Sequence, residues 1–227
     1  IAEFSTPGAA VLVSAPGVDI FTTDVVGAGG YSSGDYTSTF GGTSAAAPLV
    51  SGVIALMLEA NPNLGYRDVQ EILAYSARNP LTTAEGWQVN GADNWNGGGL
   101  AFSDAYGFGM VDAHAAVRLA ETWTAHNFAT AATASTLDSI AATNATGATL
   151  NDLSTIAQTV MVSSSLIIDH VELEIHLDHS FIGDLVIALT SPDGTTSVLV
   201  DQPGNGTLGM PDFDGIDFVF DSVQFWG

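Results

Sequence analysis

The sequence predicts two architectures in succession, an α/β portion followed by an all-β sandwich. Three observations carry this. Helix-patterned apolar segments with recognisable starts and stops fill the first half. Residues 125–155 are rich in Ala, Thr, Ser and Asn and show little periodicity. From residue 156 on, the apolar period becomes two. The division is drawn at residues 1–123 and 124–227.

Residues 11–15, Val-Leu-Val-Ser-Ala, form an apolar run closed by Pro16-Gly17 and read as a buried strand. Residues 27–35 are a Gly- and Ser-rich loop. Tyr36 to Phe40 read as a short strand leading into Gly41-Gly42. The helix that follows is apolar on nearly every side, with Leu49, Val50, Val53, Ile54, Leu56, Met57 and Leu58, so it is expected to be central and buried. Gly52 inside it implies close approach by a neighbour, and Asn61-Pro62-Asn63 ends it. A second helix is expected over 66–77, with Gly65 as cap and Leu64 stapled to Val69. A third is expected over 111–123, with Ala113, Ala116, Val117 and Ala120 inward. Farther on, Val171, Leu173, Ile175 and Leu177 alternate with His170, Glu172, Glu174, His176 and Asp178, the pattern of a half-buried antiparallel strand. Leu185, Ile187 and Leu189 repeat it. Pro192-Asp193-Gly194 reads as a hairpin turn, and Ile216 to Phe220 as another strand.

The 227 residues carry a net charge of −22, with three Arg and no Lys. Such a surface repels nucleic acid and anionic membranes and attracts cations, calcium among them. Hydrophobic residues make up 46%, enough for a core. Cysteine is absent, so no disulfide framework exists. No run of about 18 apolar residues is apparent, so no membrane insertion is expected. The chain begins at Ile1, which points to a piece of a longer polypeptide.

The chemistry concentrates at Gly41-Gly42-Thr43-Ser44-Ala45-Ala46-Ala47-Pro48. The glycines permit a tight turn and leave space for a substrate chain. Ser44 then falls at the start of a helix, where unpaired N–H groups and the dipole point outward. An oxyanion forming beside Ser44 would be stabilised there, the Ser44 N–H donating. Thr43 and Ser44 also suit a plain helix cap. A serine nucleophile requires a base, usually His held by a carboxylate.

Gly42 to Pro48 resembles the active-site serine signature of subtilisin-like proteases. Val13 to Ile20 resembles the strand and turn that precede it. Leu56 to Leu64 and Arg67 to Gln70 are similar to the kexin and furin branch, and Tyr106 to Ala113 to the end of its catalytic domain. His179 to Leu185 and Leu189 to Thr195 resemble the P domain, also called Homo B, that follows the protease in kexins. The resemblance implies an incomplete subtilisin-like fold with a parallel sheet and helices, then a jelly-roll-like sandwich truncated at its C-terminal end. It implies a secreted or cell-surface serine endopeptidase acting on polypeptides; the absence of cysteine, compatible with bacterial secretion, sets the expectation of a bacterial source. Ser44 would be the nucleophile, with Gly42 and Thr43 forming the turn beside the substrate.

The same resemblance implies an Asp, a His and an oxyanion Asn ahead of Ile1, in a missing N-terminal part of the catalytic domain. All five His follow Ser44, at 114, 126, 170, 176 and 179, and read as surface or loop-bracing residues. By itself the chain is expected to be inert. Calcium is expected from the family, and Asp178, Asp184, Asp212 and Asp214 are its candidate ligands here. Phe4-Ser5-Thr6-Pro7 stands where kexins carry a Tyr-Ser-Glu stretch, so strict dibasic preference is not expected. The alternative is a non-catalytic β-sandwich module beside a degenerate protease remnant.

Overall fold

The computed structural model describes residues 1–79, 86–92, 99–124, 144, 147–151, 153–163, 168–179, 181–203 and 215–226. Strands β1 (Ile20–Thr23) and β2 (Tyr36–Phe40) pair antiparallel and deliver the chain to Gly41-Gly42. Helix α1 (Thr43–Ala60) follows at once. Its C-cap is Asn61, whose Nδ2 donates to the carbonyls of Ala120 and Trp123 at 3.0 and 3.1 Å. Helix α2 (Tyr66–Ser76) starts as its sequence suggests: the Gly65 N–H donates to the Asp68 carboxylate at 2.8 Å, and Leu64 and Val69 are both buried. Short strands β3 (Gln88–Val89) and β4 (Ala101–Phe102) pair antiparallel. Helix α3 (Ala113–Thr122) is capped by Asp112, which accepts the Ala115 N–H at 3.0 Å.

The three helices close one apolar cluster. Val53 and Met57 of α1 meet Val69, Ile72 and Leu73 of α2 and Ala116 and Ala120 of α3. The alanines of α3 let the helix backbones approach, and both are fully buried.

In the second portion, β5 (Val171–Asp178) pairs antiparallel with β8 (Gly215–Ser222), and β6 (Val186–Thr190) with β7 (Thr196–Asp201). Side chains along β5 alternate between partly buried and exposed over its whole length, as the sequence implies. The Ser197 and Ser222 hydroxyls, both fully buried, bond each other at 2.8 Å and join β7 to β8.

The seam between the portions is closed. Val223 and Trp226 share a cluster with Ala74, Ala92, Leu100, Phe102 and Phe108. Asn90, 5% exposed, sits at its centre. Its Nδ2 donates to the carbonyls of Gln224 and Trp226 at 3.0 and 2.9 Å, while its Oδ1 accepts the N–H of Ala92 and Leu100. The Gly91 N–H donates to Thr195 Oγ1, and an Arg67–Asp169 ion pair crosses nearby.

Several expectations are corrected. No regular parallel sheet forms among the described residues; the expected strand at 11–15 appears as one parallel bridge, Ser14 to Met110. A strand read from an apolar run needs partners on both sides, and here Ser14 has one. Helix α1 is not central: Ala45, Val53 and Met57 are buried, whereas Leu49, Leu56 and Leu58 are exposed. A Cβ at Gly52 would meet nothing within 4 Å, so no neighbour approaches it. With 18 residues at mean hydropathy 1.5, α1 is also long and apolar enough to cross a bilayer. The small residues Thr43, Ser44, Ser51 and Gly52 had masked that run.

Candidate active site

Ser44 is exposed, one residue inside the start of α1. The turn before it is made by Gly42, whose φ of 124° is open to glycine and strained for other residues. The Gly42 N–H donates to the Gly17 carbonyl at 2.8 Å. The Gly42 carbonyl accepts the N–H of Ala45 at 3.0 Å and of Ala46 at 3.4 Å, so the first turn is built on this residue. Pro48 lies in the second turn of α1 without ending the helix. The N–H of Ser44 precedes the first intrahelical bond and faces outward with the positive end of the helix.

The hairpin ahead of the turn is rigid. Phe21 stacks on Tyr36 with ring centroids 5.7 Å apart, and Tyr31 meets Phe40 edge-on. The loop joining the strands folds around Asp24, whose carboxylate accepts the N–H of Val25 at 2.8 Å and of Ser32 at 2.7 Å. The Val25 N–H above all, with those of Ser32 and Tyr31, holds the Asp24 carboxyl below its ordinary value against an opposing desolvation effect.

No base reaches Ser44 among the described residues. His114 is exposed on α3, and His170 is exposed before β5. His176 pairs with Asp217 and Glu174 on the outer face of the β5–β8 ribbon. His179 braces its own loop, its Nδ1 accepting the Phe181 N–H at 3.1 Å. His126 lies outside the described residues.

The two described calcium candidates do not converge. Asp178 lines an open cleft with His176 and Asp217, whereas Asp184 lines a different one with Asn151 and Ser154. Among the described residues no three His, Asp or Glu side chains gather as a metal would require. Asp212 and Asp214 lie outside the described residues. The described residues therefore do not fit a calcium site, and no step is derived through the ion.

Two family matches follow this geometry. Residues 1–109 match the subtilase family, and residues 168–227 match the proprotein convertase P-domain. The helix start carrying Ser44 thus lies inside a subtilase region, which accounts for an apolar α1 without a bilayer. The chain belongs to the kexin and furin type of subtilases, joining part of the subtilase fold to a P domain. Furin-like protease 2 of Drosophila melanogaster is 38% identical over 201 residues, which cover 82% of this chain and 11% of that protein. Kexin of Saccharomyces cerevisiae is 34% identical over 198 residues, 86% of this chain and 23% of that protein. The solved serine protease of Aeromonas sobria superposes with a TM-score of 0.73 at 26% identity, covering 99% of this chain and 46% of that one. The chain therefore spans under a quarter of these curated relatives and just under half of the solved structure. The expected bacterial source is not supported by the curated relatives, which are eukaryotic.

Sequence reading missed two residues, Gly17 beside the site and Asn90 between the two portions. Gly17 reads as a mere strand end and Asn90 as part of a polar stretch. Each acts on groups distant in sequence, and for Asn90 the only local signal is a polar side chain beside glycine.

Proposed function

We propose that the protein is a serine endopeptidase of the kexin and furin type in which Ser44 is the nucleophile. The observation that carries this is an exposed serine on a glycine-hinged helix start, within a subtilase match. Ser44 Oγ attacks the carbonyl of a peptide bond. The C–N bond then breaks, the amine leaves with a proton, and water hydrolyses the seryl ester. The Ser44 N–H is aimed to stabilise the oxyanion. The base and its carboxylate come from polypeptide other than these 227 residues, because the described His are placed elsewhere. The same polypeptide covers the apolar face of α1, a burial that Leu49, Leu56 and Leu58 favour. Gly42 and Thr43 flank the bound substrate chain.

The boundary between the catalytic and P-domain portions is placed at 123/124. A jelly-roll-like sandwich is proposed for the latter, with its described ribbons as two parts of it. Substrates are polypeptides, and Thr6, exposed near the start, removes one acidic group on which strict dibasic preference would depend. Secretion or surface display follows from the kexin-type assignment. A calcium requirement rests on sequence alone and is checked by thermal melts with and without EGTA.

The test is labelling of the complete protein with a fluorophosphonate. Label is expected on wild type and absent from Ser44→Ala. Label that persists in the variant rules out Ser44, and a wild type that takes none leaves the β-rich portion as the working part.

A further inference from the structure

Gly17 lies in the turn at the end of the segment that opens the chain, far from Ser44 in sequence. Its carbonyl accepts the Gly42 N–H at 2.8 Å. The approach leaves no room for a side chain. A Cβ at Gly17 would stand 2.9 Å from the Gly42 carbonyl oxygen and 3.5 Å from the Ala46 Cβ. From the other side, a Cβ at Gly41 would stand 3.2 Å from the Gly17 oxygen.

The segment bearing Gly17 is pinned and cannot retreat. The Ala9 carbonyl accepts the Val223 N–H at 3.1 Å, and the Leu12 carbonyl accepts the Phe108 N–H at 2.8 Å. The Ser14 N–H donates to Gly109, and its carbonyl accepts the Val111 N–H, both at 2.9 Å. Gly42 is the softer partner, since it has no side chain and carries only the open first turn of α1. An atom added at position 17 therefore moves Gly42, and with it the Ala45 and Ala46 N–H groups bonded to its carbonyl and Ser44, which lies between Gly42 and Ala45.

We infer that Gly17 is a positioning residue for Ser44. Its carbonyl fixes the Gly42 N–H, and its missing side chain lets the two turns meet, so the pair sets the angle at which the helix start presents the serine. The catalytic meaning rests on the nucleophile reading above; the placement of Gly42 does not.

The experiment compares Gly17→Ala, Gly41→Ala and Gly8→Ala in the complete protein. A Cβ at Gly8 meets nothing within 4 Å, so that variant is the control. Phosphonylation by the fluorophosphonate, in which Ser44 Oγ bonds to phosphorus and fluoride leaves, is expected to slow roughly 10- to 100-fold in Gly17→Ala, since displacements near 1 Å cost on that order. It slows less in Gly41→Ala and not at all in Gly8→Ala. For a peptide substrate the loss falls on kcat, with KM nearly unchanged. Hydrogen exchange of the Gly42 amide speeds up in the same order. Labelling of Gly17→Ala at the wild-type rate overturns the inference. If wild type takes no label, the nucleophile reading fails and the Gly42 exchange decides: faster exchange supports the positioning, unchanged exchange overturns it. If Gly17→Ala does not fold, the milder Gly41→Ala carries both readouts, and no change in either overturns the inference.

Discussion

The seam around Asn90 and the surface around Ser44 are opposites. At the seam every polar group described for Asn90 has a partner, and Trp226 is 3% exposed. In helix α1 and the hairpin before it, Phe21, Tyr36, Leu49 and Leu56 are exposed, and so is the Ser44 side chain. The contrast teaches where the chain is satisfied by itself. The two portions complete each other, whereas the face bearing the serine carries more apolar surface than these residues cover.

The largest expected effect is at the seam. Trp226→Ala should lose about 3–5 kcal/mol, as large-to-small core changes do, read from urea midpoints of the complete protein. A loss under about 1 kcal/mol, the scale of an ordinary surface change, would break the comparison. Met57→Ala should lose about 2–5 kcal/mol, while its exposed neighbour Leu56→Ser should stay within about 0.5 kcal/mol in the 227-residue chain. If Leu56→Ser costs far more in the complete protein, a further surface covers α1 there. Asn90→Ala should lose about 1–3 kcal/mol, because two carbonyls and two N–H groups lose their buried partner.

Gly52→Ala should raise the stability of the 227-residue chain by about 1 kcal/mol, the helix preference for Ala. A reversed sign in the complete protein would locate a neighbour packed against that glycine. The smallest effect is acid sensitivity at the hairpin that touches Gly91. The Ser191 hydroxyl first, then that of Thr195, hold the Asp193 carboxyl below the ordinary aspartate value of 3.8. A depressed carboxyl stabilises the fold above pH 3.8, and that contribution is lost as pH falls through the lowered folded value. Melts below pH 4 should therefore show a smaller acid loss in Asp193→Asn than in wild type.

Helices α1, α2 and α3 were legible because their caps and apolar spacing are local. Gly65 and Asn61 mark ends that the structure keeps, whereas α3 begins at Ala113, two residues after the expected start, with Asp112 as its cap. The alternation along β5 was legible for the same reason. Serine 44 was found by its Gly-Gly-Thr context, a turn followed by a helix start, and the structure leaves it exposed. The buried strand expected at 11–15 and the full burial expected of α1 are not met within the described residues, because apolar composition states what a segment prefers and not whether a partner is there to meet it.

Local preference, then, determined the helices, the alternating strands and the residue most suited to be a nucleophile, since these depend on neighbours within a few positions of the chain. Only the tertiary structure decided that Gly17 holds Gly42, that Asn90 welds the two portions, and that one face of α1 is left open. Those are contacts between residues 25 to 136 positions apart, and their energies depend on distance in space, which no local pattern encodes.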